Sequence, residues 1–135
     1  MGDAAEAARL AAHRHLLLTT FRPDGAAVPT VVWAVQVGDD LMVITGARTG
    51  KVARVRRTPA VLVAPCDPDG RRQPGADDVG AQAQVPPGRE AVRDVRRRIR
   101  ARYGWRYTVR TALLRLRGGR AAEVAIRISI PTRTR

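Results

Sequence analysis

The stretch AVPTVVWAVQV, from Ala27 to Val37, is apolar on both faces of a strand. Side chains alternate sides along a strand. Val31, Trp33, Val35 and Val37 therefore share one face, and Val28, Thr30, Val32 and Ala34 share the other. A solvated antiparallel strand alternates apolar with polar residues, and this one does not. One face has to fill a core. The other has to be covered by a helix or by a second copy of the chain, and we favour the second copy.

The signals around this stretch set its neighbours. RPDG (Arg22–Gly25) before it is a turn, because Pro presets φ and Gly accepts positive φ. GDD (Gly38–Asp40) after it closes a hairpin onto LMVIT, Leu41 to Thr45. Further strands are expected at His15–Phe21, Ala60–Cys66, Val79–Val85 and Glu123–Ile130. In the last of these Val124, Ile126, Ile128 and Ile130 line one face. Helices are expected at Ala4–His15, Gly50–Arg57, Arg89–Tyr103 and Trp105–Arg117. The third shows an apolar stripe at Val92, Val95 and Ile99, with Gly104 as its stop. Six strands in meander order, with tight turns and helices near the ends, give an α+β chain built on a small antiparallel barrel or sandwich. At 135 residues the chain is one domain, residues 1–135.

The charge admits two readings. The formal net charge is +13, and of 25 basic residues all but Lys51 are arginine. A coding bias toward arginine accounts for most of them. An anionic partner, nucleic acid or a phosphorylated small molecule, is the sharper alternative. A lone lysine is the more informative residue, since its compact ammonium suits a point contact with phosphate. The single cysteine, Cys66, excludes an internal disulfide and fits a reducing cytoplasm. No stretch approaches the roughly 18 consecutive apolar residues of a membrane span, and MGDAAEAARLAAHRH does not read as a signal peptide.

Around the lysine, GARTGKV follows a strand and opens a helix, as a P-loop does. The spacing excludes a Walker motif: three residues separate Gly46 from Gly50, and Val52 offers no hydroxyl for magnesium. The physics of the position survives. Backbone N–H groups at a helix start, with Thr49, Lys51, and Arg54 or Arg57, make an anion pocket. The plain alternative is a solvated basic helix. His13 and His15, two apart, do not share a helix face and read as surface residues. Cys66 reads as a buried structural thiol. No catalytic triad, carboxylate pair or zinc spacing is present, so catalytic and metal-ligating residues are assigned to none. An enzyme so equipped would rely on a cofactor that carries its own chemistry. The arginines of the helix Arg89–Arg102 are spread around its cylinder, and aromatic content is 4%, which argues against a stacking platform for single-stranded nucleic acid.

Taken in order, LLLTTFRPDGAAVPTVVW, LMVITGARTGKVARVRRTPAVLVAPCDPDGR and RRIRARYGW resemble the split β-barrel, pyridoxamine-phosphate-oxidase-like proteins of actinobacteria. Within these they resemble the B-type deazaflavin-dependent oxidoreductases, which use coenzyme F420. The resemblance runs from about Leu16 to Trp105. It implies a six-stranded antiparallel split β-barrel of the FMN-binding type with flanking helices, working as a cytoplasmic homodimer with two sites at the interface. It implies that the cofactor ring lies against Val32, Trp33 and Ala34. Thr45 and Gly46 would supply backbone and hydroxyl contacts. Gly50 and Lys51, helped by Thr49 and Arg57, would meet the phosphate. The activity implied is hydride transfer between reduced deazaflavin and a small organic substrate. Related branches bind FMN or haem. Many relatives carry Ser or Trp where this chain has Gly50. A basic nucleic-acid-binding module is the alternative from another class.

Overall fold

A computed structural model describes residues 2–47, 49–104 and 123–132. The expected helix Trp105–Arg117 lies outside these residues. Seven strands form one antiparallel sheet: β1 (Leu16–Phe21), β2 (Ala27–Val32), β3 (Ala34–Val37), β4 (Asp40–Gly46), β5 (Ala60–Pro65), β6 (Val79–Gln84) and β7 (Glu123–Ser129). Among the described residues three helices accompany them: α1 (Ala4–Ala11), α2 (Gly50–Arg57) and α3 (Glu90–Tyr103).

The strand order is β2-β1-β5-β6-β7-β4-β3. Its two ends, β2 and β3, are separated in the chain by Trp33 alone. Two edges one residue apart require the sheet to roll until they meet, so the sheet is a barrel closed by the chain itself. The expected α+β antiparallel split barrel with flanking helices is thus the observed fold. It has seven strands rather than six because the segment Ala27–Val37 is two strands. Its first half pairs with β1, Leu16 opposite Val32, and its second half pairs with β4, Ala34 opposite Val43. Past Ala34 no strand among the described residues pairs with Ile44, Thr45 and Gly46 on that side, while β7 pairs with them on the other. This is the split.

The inward faces follow the alternation of the sequence. Leu16, Leu18, Val43, Val63, Ile126 and Ile128 are buried in the interior cluster. Burying each such side chain contributes about 1.5–3 kcal/mol. Helix α1 adds Ala7, Leu10 and Ala11 to this interior, and α2 adds Val52 and Val55. At the start of α1 the Asp3 carboxylate accepts the backbone N–H of Glu6 at 3.0 Å, an N-cap. The helix ends at Ala11, short of the expected His15: the His13 N–H turns to the Leu10 carbonyl at 3.1 Å, and the His15 carbonyl already accepts from the Cys66 N–H at 3.2 Å beside the β1–β5 pairing.

The second apolar face of Ala27–Val37 is covered within the chain along β3. Helix α3 lays Val92, Val95 and Ile99 over Val35, Met42 and Ala125, with Trp33 and Val37 packed against this cluster. Arg96 reaches from α3 to Glu123 at the start of β7. Along β2 the cover is thinner. The loop after β5 brings Gly70 down on this face, where a Cβ would lie 3.4 Å from Val31 and 3.8 Å from Leu17. Gly70 holds φ +86, which favours glycine. Phe21, Val31 and Leu62 stay half-buried and Pro29 exposed on the same face.

Candidate anion site at the split of the barrel

The split end of β4 runs into α2, and the geometry between them is set by hydroxyls. Thr45 faces the barrel interior and is 9% exposed. Its Oγ1 lies 3.5 Å from Thr49 Oγ1. Thr49 is the N-cap residue of α2, yet its hydroxyl does not cap the helix. It donates back to the Gly46 carbonyl at 2.9 Å instead. A helix start leaves its first N–H groups without intrahelical partners, and the Thr49 side chain does not take them. The first turn also carries no acidic residue to answer the helix dipole. Lys51 stands in that turn, half-buried.

A second cation joins it. Arg54 is one turn on from Gly50, and residues i and i+4 share a helix face. A Cβ built on Gly50 would lie 2.5 Å from Arg54 Nη1. Glycine at this position therefore lets the guanidinium lie over the first turn of its own helix. Arg54 Nε donates to Thr20 Oγ1 at 2.6 Å, which fixes it to β1. The sequence offered Arg54 or Arg57 for the anion pocket, and the resemblance named Arg57. The structure separates them: Arg57 is exposed at the far end of α2, about 9 Å along the axis from Lys51 at 1.5 Å per residue.

The expected ring wall is arranged differently from the cradle. Val32 and Ala34 are 6% and 1% exposed, and their side chains belong to the interior cluster. What the chain presents between them is the Trp33 indole. Tyr103 stacks on it at 4.8 Å and 17°. The His15 ring meets it edge-on at 6.3 Å, so His15 is a packing residue rather than a surface one. The Ala34 carbonyl accepts from Tyr103 Oη at 3.0 Å and from Arg102 Nη1 at 3.1 Å. Arg102 and Tyr103 thus hold the point where the strand breaks, a role that no motif in the sequence signals. Burial pushes the Tyr103 phenol above its ordinary value, against the lowering effect of Arg102 and the Ala34 hydrogen bond. Thr45, Gly46, Thr49, Gly50 and Lys51 are brought together at the split. Cys66 is buried, and burial and then Asp67 push its thiol up, as befits a structural rather than a reactive group.

No family model and no curated protein matches the sequence. Solved structures do match the fold. A candidate pyridoxamine 5′-phosphate oxidase from Listeria innocua superposes with a TM-score of 0.64 at 20% identity, covering 93% of this chain and 90% of that one. The haem storage protein HutZ from Vibrio cholerae gives a TM-score of 0.67 at 16% identity, covering 98% and 93%. An F420 reductase gives 0.58 at 18% identity, covering 92% of each chain. In fold, the chain is similar to the split-barrel proteins of the pyridoxamine 5′-phosphate oxidase type, a likeness that includes an F420 reductase.

Proposed function

We propose that the chain is an oxidoreductase that binds coenzyme F420 and transfers a hydride between the reduced deazaflavin and a small organic substrate. The observation that carries this is the start of α2: a helix N-terminus whose N-cap hydroxyl turns back to Gly46, with Lys51 and the Arg54 guanidinium beside it, no acid in its first turn, and a position at the split of the barrel. A phosphate fits that donor set, because N–H groups, an ammonium and a guanidinium all favour an anion. The similarity in fold to an F420 reductase supports the choice of cofactor. When bound, the deazaflavin supplies the hydride chemistry. The chain's own residues position it: Lys51 and Arg54 hold the phosphate, Thr45 and Gly46 offer hydroxyl and backbone contacts, and Trp33 marks the ring side.

A second copy of the chain completes the site in this reading, lying on the outer face of β1, β2 and β5. The partly covered Phe21, Val31 and Leu62 on that face support a homodimer. No helix among the described residues is long and apolar enough to cross a membrane. A cytoplasmic protein is the reading we adopt, given the unpaired buried Cys66.

FMN is the alternative cofactor, since the same site would take its phosphate. Haem is kept as a third on the similarity in fold to a haem storage protein. Titration with coenzyme F420, FMN, haemin and a DNA duplex separates the readings. The expected result is tight binding of coenzyme F420, weakened about tenfold or more in Lys51→Ala, since a hydrogen bond to a charged group is worth about 1.5–3 kcal/mol. Preference for haemin or DNA, or indifference to Lys51, would overturn it.

A further inference from the structure

Arg54 belongs to the last turn of α2, yet its guanidinium lies over the first. Basic side chains are stabilised near helix C-termini and disfavoured near N-termini. The guanidinium nevertheless folds back over Gly50 in the first turn, which also carries Lys51 and holds no acidic residue of its own. What holds it there is Thr20. This residue is fully buried in β1, on the inner face that Leu16 and Leu18 fill with apolar side chains. Its Oγ1 accepts from Arg54 Nε at 2.6 Å and lies 3.5 Å from the Val28 carbonyl of β2. A valine of nearly the same shape would fill that place in the interior without the hydroxyl. Among the described residues the one hydrogen bond of the Arg54 side chain is from Nε, and with the residue half-buried the outer edge of the fork is open to water or an anion.

The geometry points to Thr20 and Gly50 as positioning residues for the phosphate of the cofactor. The Thr20 hydroxyl fixes the inner edge of the Arg54 guanidinium. The missing side chain at Gly50 provides the room, and the outer edge is presented with Lys51 to the anion. This rests on the reading of the α2 start as a phosphate site. It adds that selectivity for a phosphate-bearing cofactor runs through a residue on β1 that does not itself touch the ligand.

The test compares two affinities: that for coenzyme F420 or FMN, whichever the wild type binds, and that for its phosphate-free form, dephosphorylated deazaflavin or riboflavin. The wild type is expected to prefer the phosphorylated form by about tenfold or more, the scale of a charge-assisted contact. Thr20→Val should cut that preference about fivefold and leave the phosphate-free affinity unchanged, while Thr20→Ser should restore it. Gly50→Ala, at an exposed position, should cut it likewise by displacing the guanidinium, and it carries the test should Thr20→Val fail to fold. The double variant Thr20→Val/Arg54→Ala should be no worse than Arg54→Ala alone. Full preference retained in Thr20→Val and Gly50→Ala overturns the inference and leaves the phosphate site standing. So do losses that multiply in the double variant, or an equal loss of the phosphate-free form. A wild type with no preference at all removes the phosphate site itself.

Discussion

Tyr103 lies nearly parallel to Trp33, ring centroids 4.8 Å apart, while its hydroxyl donates to the Ala34 carbonyl one residue further on. The last residue of α3 thereby grips both sides of the point where one strand becomes two. Removing the hydroxyl alone, in Tyr103→Phe, is expected to cost about 1 kcal/mol, one net hydrogen bond. Tyr103→Ala also removes the stack and is expected to cost about 3–5 kcal/mol. Urea unfolding of the two variants measures the difference.

The pH dependence of stability should fall on the alkaline side. The Tyr103 phenol and the Cys66 thiol are both raised, each chiefly by burial. The unfolded chain therefore releases these protons before the folded one does. Stability from both groups is fully present below the ordinary thiol value of about 8.5, and it declines as pH rises through that value and then through about 10. Urea midpoints between pH 7 and 11 should show this decline for the wild type. Cys66→Ala should flatten its earlier part and Tyr103→Phe its later part.

The two faces of the barrel wall should respond oppositely to truncation. Ile126 is 0% exposed in the interior, so Ile126→Ala is expected to cost about 2–5 kcal/mol. Gln82 is on the exposed outer face of β6, so Gln82→Ala is expected to stay within about 0.5 kcal/mol of wild type. Equal costs would mean that the register of β6 and β7 is not the one described.

The homodimer reading makes Leu62 an interface residue. Wild type is expected to sediment as a dimer at micromolar concentration. Leu62→Arg, which places a charge on the outer face of β5, is expected to sediment as a monomer with its fold intact. A wild-type monomer would refute the dimer.

The sequence carried the barrel wall well, because alternation reports which face is buried. In β7 the expected inward set of Val124, Ile126, Ile128 and Ile130 is the observed one. It could not show that Ala27–Val37 breaks at Trp33. A change of hydrogen-bonding partner leaves the apolar pattern untouched, and the run is continuous across the break. For the same reason alternation could not say that α3 would cover Val35 and Val37. In the site, the order Thr45, Gly46, Gly50, Lys51 was legible, since these residues are close in sequence. The choice of Arg54 over Arg57 depended on two facts from elsewhere. One was the space above Gly50, visible as an i, i+4 relation. The other was the hydroxyl of Thr20, 34 residues away and brought in by the sheet.

The most direct test of the account is a crystal structure of the protein with coenzyme F420 bound. The expected result is the phosphate at the first turn of α2, within hydrogen-bond reach of both the Lys51 ammonium and the Arg54 guanidinium. A cofactor bound with its phosphate elsewhere, and with Lys51 and Arg54 turned to solvent, would contradict it.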